Sequence, residues 1–141
     1  MTEVTFHVNV ERRLEYVCLL LRRAVNQRLP VRVLGARESL QALDEALWAW
    51  GATEFIAHAW ADADSATVAA SCVLLSDQMA APVHSDCRLL NLGDDVPQGF
   101  EAYSRVIEVV GTAADERERA RSRWRYYQSL GCVPRHYDAA S

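Results

Sequence analysis

The sequence has no lysine: all 15 basic residues are arginine. Every fixed positive charge is therefore a planar fork suited to carboxylates and phosphates. Glycine is scarce, and none occurs in the turn after the first predicted strand (HVNVERR). A dinucleotide- or phosphate-cradling turn needs glycine there, so that class is disfavoured. No GKS/T and no GxSxG segment occurs. No apolar run approaches the roughly 20 residues needed to cross a bilayer, so no membrane role is expected. The N-terminus MTEVTFHVNVERR lacks a signal-peptide pattern, so the expectation is a cytoplasmic protein. The four cysteines, Cys18, Cys72, Cys87 and Cys132, form no C-x-x-C pair. That disfavours a zinc ribbon or a thioredoxin-type site. His84 and Cys87 make a lone H-x-x-C, two ligands short of a metal site. Reduced, buried cysteines are the plain reading of Cys18 and Cys72. Repeats, linkers and low-complexity tracts are absent, so residues 1–141 read as a single domain with no cofactor.

What is present is a charge imbalance. The chain carries 19 acids against its 15 arginines, net −4. Residues 1–104 hold 8 Arg and 14 acids; residues 105–141 hold 7 Arg and 5 acids. Residues 117–125 alone hold five Arg and one Glu. An acidic whole argues against general coating of nucleic acid or membrane. The local arginine run needs its own explanation.

Periodicity predicts the elements. EVTFHVNV (3–10) alternates as a strand. Over 11–28, Leu14, Val17, Cys18, Leu21, Ala24 and Val25 repeat with a helical period. VRVLG (31–35) is a short apolar strand. RESLQALDEALWAW (37–50) is a helix with Leu40, Leu43, Leu47 and Trp50 inward. Residues 51–66 read as a loop around FIAHAW. Strands are predicted at 68–75, 87–92 and 104–111, and a last helix at 113–130. The tail CVPRHYDAAS reads as extended, then frayed. A strand–helix–strand–helix opening implies a single α/β domain with a largely parallel central sheet and flanking helices.

Catalytic constellations are weak. Asp44 and Glu45 are neighbours on a helix and diverge, and Asp94 and Asp95 read as a solvated turn. Binding surfaces are better defined. On the last helix Arg117, Arg121 and Trp124 lie within an arc of about 60°. Ala120, Tyr127 and Leu130 form the predicted core stripe. Two guanidiniums and an indole on a face the core does not need suit an acidic, aromatic peptide or single-stranded nucleic acid. In the plainer reading Arg119, Arg123 and Arg125 are solvated charges and Trp124 is partly core. Trp48 lies off the inner stripe of its helix, beside Gln41 and Asp44. It reads either as an interface anchor or as covered by FIAH (55–58).

LDEALWAW (43–50), EFIAH (54–58), SRVIEVV (104–110) and RWRYYQSLG (123–131) occur in an order and spacing that resembles the chi subunit of bacterial DNA polymerase III holoenzyme. The likeness runs from the opening TFHV to HYD near the C-terminus. It implies a Rossmann-like fold without a nucleotide-binding glycine loop. It further implies a non-catalytic clamp-loader subunit in DNA replication with two partners. One is the psi subunit; the other is the acidic C-terminal tail of single-stranded-DNA-binding protein, which ends in Pro-Phe. Carried over by position, the tail site is Val110, Arg117, Arg121 and Trp124. The psi-facing residues are Trp48, Phe55 and His58. Tyrosine is common in the family where Trp124 stands, so the hydroxyl is lost and the apolar wall kept. The family's Pro-His-x-Leu-Ala-Gly-Glu-like loop is replaced here by Ala57-His58-Ala59-Trp60-Ala61-Asp62. Residues 62–86 show little likeness. Strong direct nucleic-acid binding is not expected. The alternatives are a single-stranded nucleic-acid binder using the Arg/Trp face, or a nucleotide-dependent enzyme.

Overall fold

A computed structural model describes residues 2–50, 58–64, 66–67, 71–82 and 86–140. The side chain of Trp50 lies outside what is described, as do residues 68–70 of the predicted 68–75 strand and His84.

The strands are β1 (Glu3–Val10), β2 (Val31–Leu34), β3 (His58–Trp60), β4 (Val73–Ser76), β5 (Arg88–Asn91), β6 (Arg105–Gly111) and β7 (Arg135–Asp138). The helices are α1 (Arg13–Asn26), α2 (Arg37–Trp50) and α3 (Ala114–Ser129), with a short 3-10 turn at Phe100–Ala102. All seven strands run parallel in one sheet, in the order β3-β4-β2-β5-β6-β1-β7. The α/β reading with a parallel sheet holds.

Two apolar layers sandwich the sheet. Val17, Cys18 and Leu21 of α1 and Leu40, Leu43 and Leu47 of α2 pack on Val33, Leu75, Leu90 and Val109. On the opposite face Ala120 and Tyr127 of α3, with Phe100 and Tyr103, pack on Val4, Phe6, Leu89, Val106 and Val110. Strand alternation sends Val109 to one layer and Val110 to the other. Each large buried side chain contributes about 1.5–3 kcal/mol.

The chain passes from β1 to the α1 face but from β6 to the α3 face. The two strands are neighbours, so their carboxyl ends diverge and leave a crevice between them. Ligands bind in such crevices of open parallel sheets.

Some expectations are corrected. HAW in the predicted 51–66 loop forms β3, paired with β4. The predicted 68–75 strand begins at Val73 within the described residues. The tail is a true strand, with Arg135–Asp138 hydrogen-bonded beside β1. Leu14 and Leu130, predicted core residues, are 41% and 48% exposed. They sit in the first turn of α1 and at the C-cap of α3, where the helix no longer faces the sheet.

Candidate binding groove at the carboxyl ends of β1 and β6

The crevice between β1 and β6 is a groove of about 270 Å³. Phe6, Val8, Val110 and Ala120 give it an apolar floor; Arg117, Arg121 and Trp124 stand on α3 along one wall. The structure thus brings Val110, Arg117, Arg121 and Trp124 together around one space. Trp124 is half-buried, with its ring centroid 5.1 Å from Phe6 and 6.3 Å from His136. It is anchored by one edge and open to the groove by another.

Local backbone features set up this wall. Asn9 has φ 59, where β1 breaks register with β6 between His7 and Val10. Asparagine tolerates this left-handed conformation better than a branched residue. Its side-chain oxygen accepts from Arg117 Nη2 at 3.2 Å, which holds that guanidinium over the groove. Gly111 ends β6, and its N–H donates to Glu116 Oε2 at 2.8 Å. A Cβ on Gly111 would collide with that carboxylate. The glycine therefore lets Glu116 reach back from the first turn of α3 to the strand end. Asp115 and Glu116 there also complement the helix dipole.

The arginine run divides by partner. Arg119 pairs with Asp94 at 3.2 Å and Asp115 at 3.3 Å. Arg123, read as a solvated charge, is 6% exposed and is corrected to a core residue. Its Nε donates to Glu108 Oε1 at 3.0 Å and its Nη1 to the Asp94 carbonyl at 3.0 Å. Glu108 Oε2 accepts from Tyr127 Oη at 2.7 Å and Asn91 Nδ2 at 2.9 Å. Burial lifts Glu108 above the ordinary carboxylate range, while Arg123 and these hydrogen bonds pull it back. Tyr127 is pushed up by burial and by Glu108 beside it. Glu108 escaped notice in the sequence, although it was visible there. Val106, Glu108 and Val110 share one face of β6, so a carboxylate on an otherwise apolar face needed a cation from the covering helix. Among the described residues, no carboxylate lies within ion-pair distance of Arg117 or Arg121. These two guanidiniums stand over the groove without a carboxylate beside them.

A second surface lies at the opposite sheet edge. Trp48 is 59% exposed, and its ring lies 5.0 Å from that of His58. His58 is buried on β3, and its Nε2 donates to Asp44 Oδ1 at 2.8 Å. The two rings are tilted 56° to each other. Phe55 lies outside the described residues.

Among the described residues no group of three or more His, Cys, Asp or Glu is placed to hold a metal. Asp94 and Asp95 do not act as a pair: Asp94 engages Arg119 and the Asp95 carbonyl accepts from Asn91. The thiols of Cys18, Cys72 and Cys87 are all pushed up by burial, which keeps them unreactive. No described helix is long and apolar enough to cross a membrane.

Fold and groove define an α/β domain whose groove is lined by side chains on a helix and two strand ends rather than by a glycine-rich phosphate loop. The chain belongs to the DNA polymerase III chi subunit family, because the family described as "DNA polymerase III chi subunit, HolC" matches residues 1–135. It is 32% identical to DNA polymerase III subunit chi of Pseudomonas aeruginosa over 136 residues, 93% of this chain and 92% of that protein. The family assigns it to DNA polymerase III and so to DNA replication.

Proposed function

We propose that this chain is a non-catalytic adaptor of the clamp loader, acting in the cytoplasm. Its groove takes the acidic C-terminal tail of single-stranded-DNA-binding protein, and its Trp48 face meets psi. The observation that carries the first part is the pair of uncompensated guanidiniums, Arg117 and Arg121, beside an apolar groove walled by Trp124. A peptide ending in phenylalanine brings what this lining lacks. Its ring fills the apolar floor against Val110 and Trp124, and its terminal carboxylate meets Arg121 or Arg117. Acidic residues before the terminus add long-range attraction that salt weakens. Charge-assisted hydrogen bonds of this type contribute about 1.5–3 kcal/mol each. A groove this small supports micromolar affinity, about −8 kcal/mol. Several tails on one DNA-bound oligomer then add avidity.

Calorimetry with an acidic peptide ending in Pro-Phe tests this reading. Binding that falls with salt and with Arg121→Ala supports it; binding indifferent to Arg121→Ala removes the assigned site. The psi part is supported by an exposed indole beside a buried histidine, an arrangement typical of interface anchors. Co-purification of psi with the wild-type chain, lost in Trp48→Ala, tests it.

A further inference from the structure

Parallel sheets are ordinarily covered on both faces. Here α1 packs over β6 and reaches the end of β1 through Tyr16, whose hydroxyl lies 2.6 Å from His7 Nδ1; no described element packs over the rest of that face out to β7. Along β1 the covered residues Val4 and Phe6 are buried, while Glu3 is exposed and Thr5 and His7 are half-buried. On β7 Arg135 and Tyr137 are exposed. This face is also basic. Arg88 of β5 and Arg105 of β6 are direct register partners, and Arg135 of β7 sits opposite Thr5 of β1. Arg23 of α1 joins Arg88 and His7 around a crevice of about 220 Å³ floored by Leu90 and Ile107. Two acids lie nearby: Glu3 pairs with Arg105 at 3.5 Å, and Asp86 acts on Arg88 from the rim. Among the described residues Arg23, Arg88 and Arg135 have no carboxylate within ion-pair distance.

Two arginines directly opposite each other on adjacent strands repel. Burial and Arg105 both disfavour the charge on Arg88. Asp86 and Glu3 offset this only in part, and a polyanion across the strands would supply further counter-charge. Aromatic rings complete it: Tyr137 is 56% exposed, with His7 5.5 Å from it and Tyr16 5.4 Å beyond His7. Rings on an open, basic sheet face form a stacking platform for unpaired bases.

We propose that the β5-β6-β1-β7 face binds single-stranded nucleic acid, with phosphates against Arg88, Arg105 and Arg135 and a base stacked on Tyr137. The contact is weak, because the rest of the chain is acidic, and it is independent of the α3 groove.

Fluorescence anisotropy of a labelled oligothymidylate at low salt, with the full chain, tests this. The combined Arg88→Ser, Arg105→Ser and Arg135→Ser variant is expected to bind at least about tenfold more weakly. The slope of log affinity against log salt should fall by about 2, at about 0.7 per phosphate contact. Tyr137→Ala should weaken binding and leave the slope alone; Arg121→Ala should change neither. The triple variant removes a repulsion and also the exposed Arg105–Glu3 pair, which contributes under about 1 kcal/mol, so it is expected to melt close to wild type. If it fails to fold, Arg135→Ser alone carries the test, with a slope change of about 0.7. No binding by wild type overturns the proposal, as does a triple variant that binds normally. Binding lost with Arg121→Ala moves the contact to the α3 groove. An acidic peptide that competes fully while Tyr137→Ala has no effect identifies a protein partner instead.

Discussion

The inner and outer faces of α3 carry the same residue type to opposite ends. Arg123 points inward, 6% exposed, and is matched by Glu108, Tyr127 and Asn91. Arg117 and Arg121 point outward over the groove and meet no carboxylate among the described residues. Arg119 lies between, half-exposed and shared by two surface acids. A run of five arginines is therefore not one patch. A buried ion pair fixes where the helix sits on the sheet, and that placement aims the unpaired guanidiniums over the strand ends. Charge counted along the chain overstates the positive charge of the groove more than twofold, since only two of the five line it.

The largest expected effect comes from breaking the inner face. Arg123→Ala leaves Glu108 buried without its cation and should cost about 3–5 kcal/mol in chemical denaturation. Replacing Arg123 and Glu108 together with Met and Leu should restore most of that loss, because the uncompensated charge is gone. A double variant as unstable as the single would show that packing, not charge, is the cost. The inner face should also titrate. Ionising Glu108 is harder in the fold than in the unfolded chain, because burial lifts its pKa. The resulting stability is complete below the ordinary carboxylate pKa and fades as pH rises through the lifted value. Glu108→Gln should remove this pH dependence in denaturation curves collected across the acid range.

Trp124 joins the two faces and should show both effects. Trp124→Ala removes a half-buried ring from Phe6 and should cost about 2 kcal/mol of stability, below the 3–5 of a fully buried aromatic. It should also abolish measurable peptide binding. The outer arginine should separate the two readouts. Arg121→Ala should weaken peptide binding about tenfold, or about 1.4 kcal/mol, and leave stability within about 0.5 kcal/mol. A matching loss of stability would erase the distinction between the faces.

Sequence patterns made most of this legible where burial is one-sided. β1, α1, α2 and α3 bury one face more than the other, so their periods were plain, whereas β2 and β6 are buried on both faces and showed as short apolar runs. β3 is three residues, too short for a period, and β7 is RHYD, with three of its four residues exposed. An edge strand held by backbone hydrogen bonds to β1 leaves no apolar signature. Helical geometry alone aligned Arg117, Arg121 and Trp124. Val110 came from family resemblance, because adjacency of β6 to the groove depends on strand order, which local periodicity does not encode. Arg123 was misread because a buried arginine looks like any other until its carboxylate, fifteen residues away on β6, is placed beneath it.

The smallest expected effect tests whether the division is one of degree. Arg119 makes two ion pairs, yet its side chain is 42% exposed and both partners, Asp94 and Asp115, are more than 70% exposed. Exposed pairs gain little over hydration and give some of that back in side-chain entropy. Arg119→Ala should therefore cost under about 1 kcal/mol in denaturation and leave peptide affinity nearly unchanged, apart from a slight fall at low salt. If its cost approached that of Arg123→Ala, the loop at Asp94 would be a second anchor of α3. That loop already touches Arg123 through the Asp94 carbonyl, so Arg119 would then join Arg123 as a helix-fixing residue, leaving Arg117 and Arg121 as the groove-facing pair.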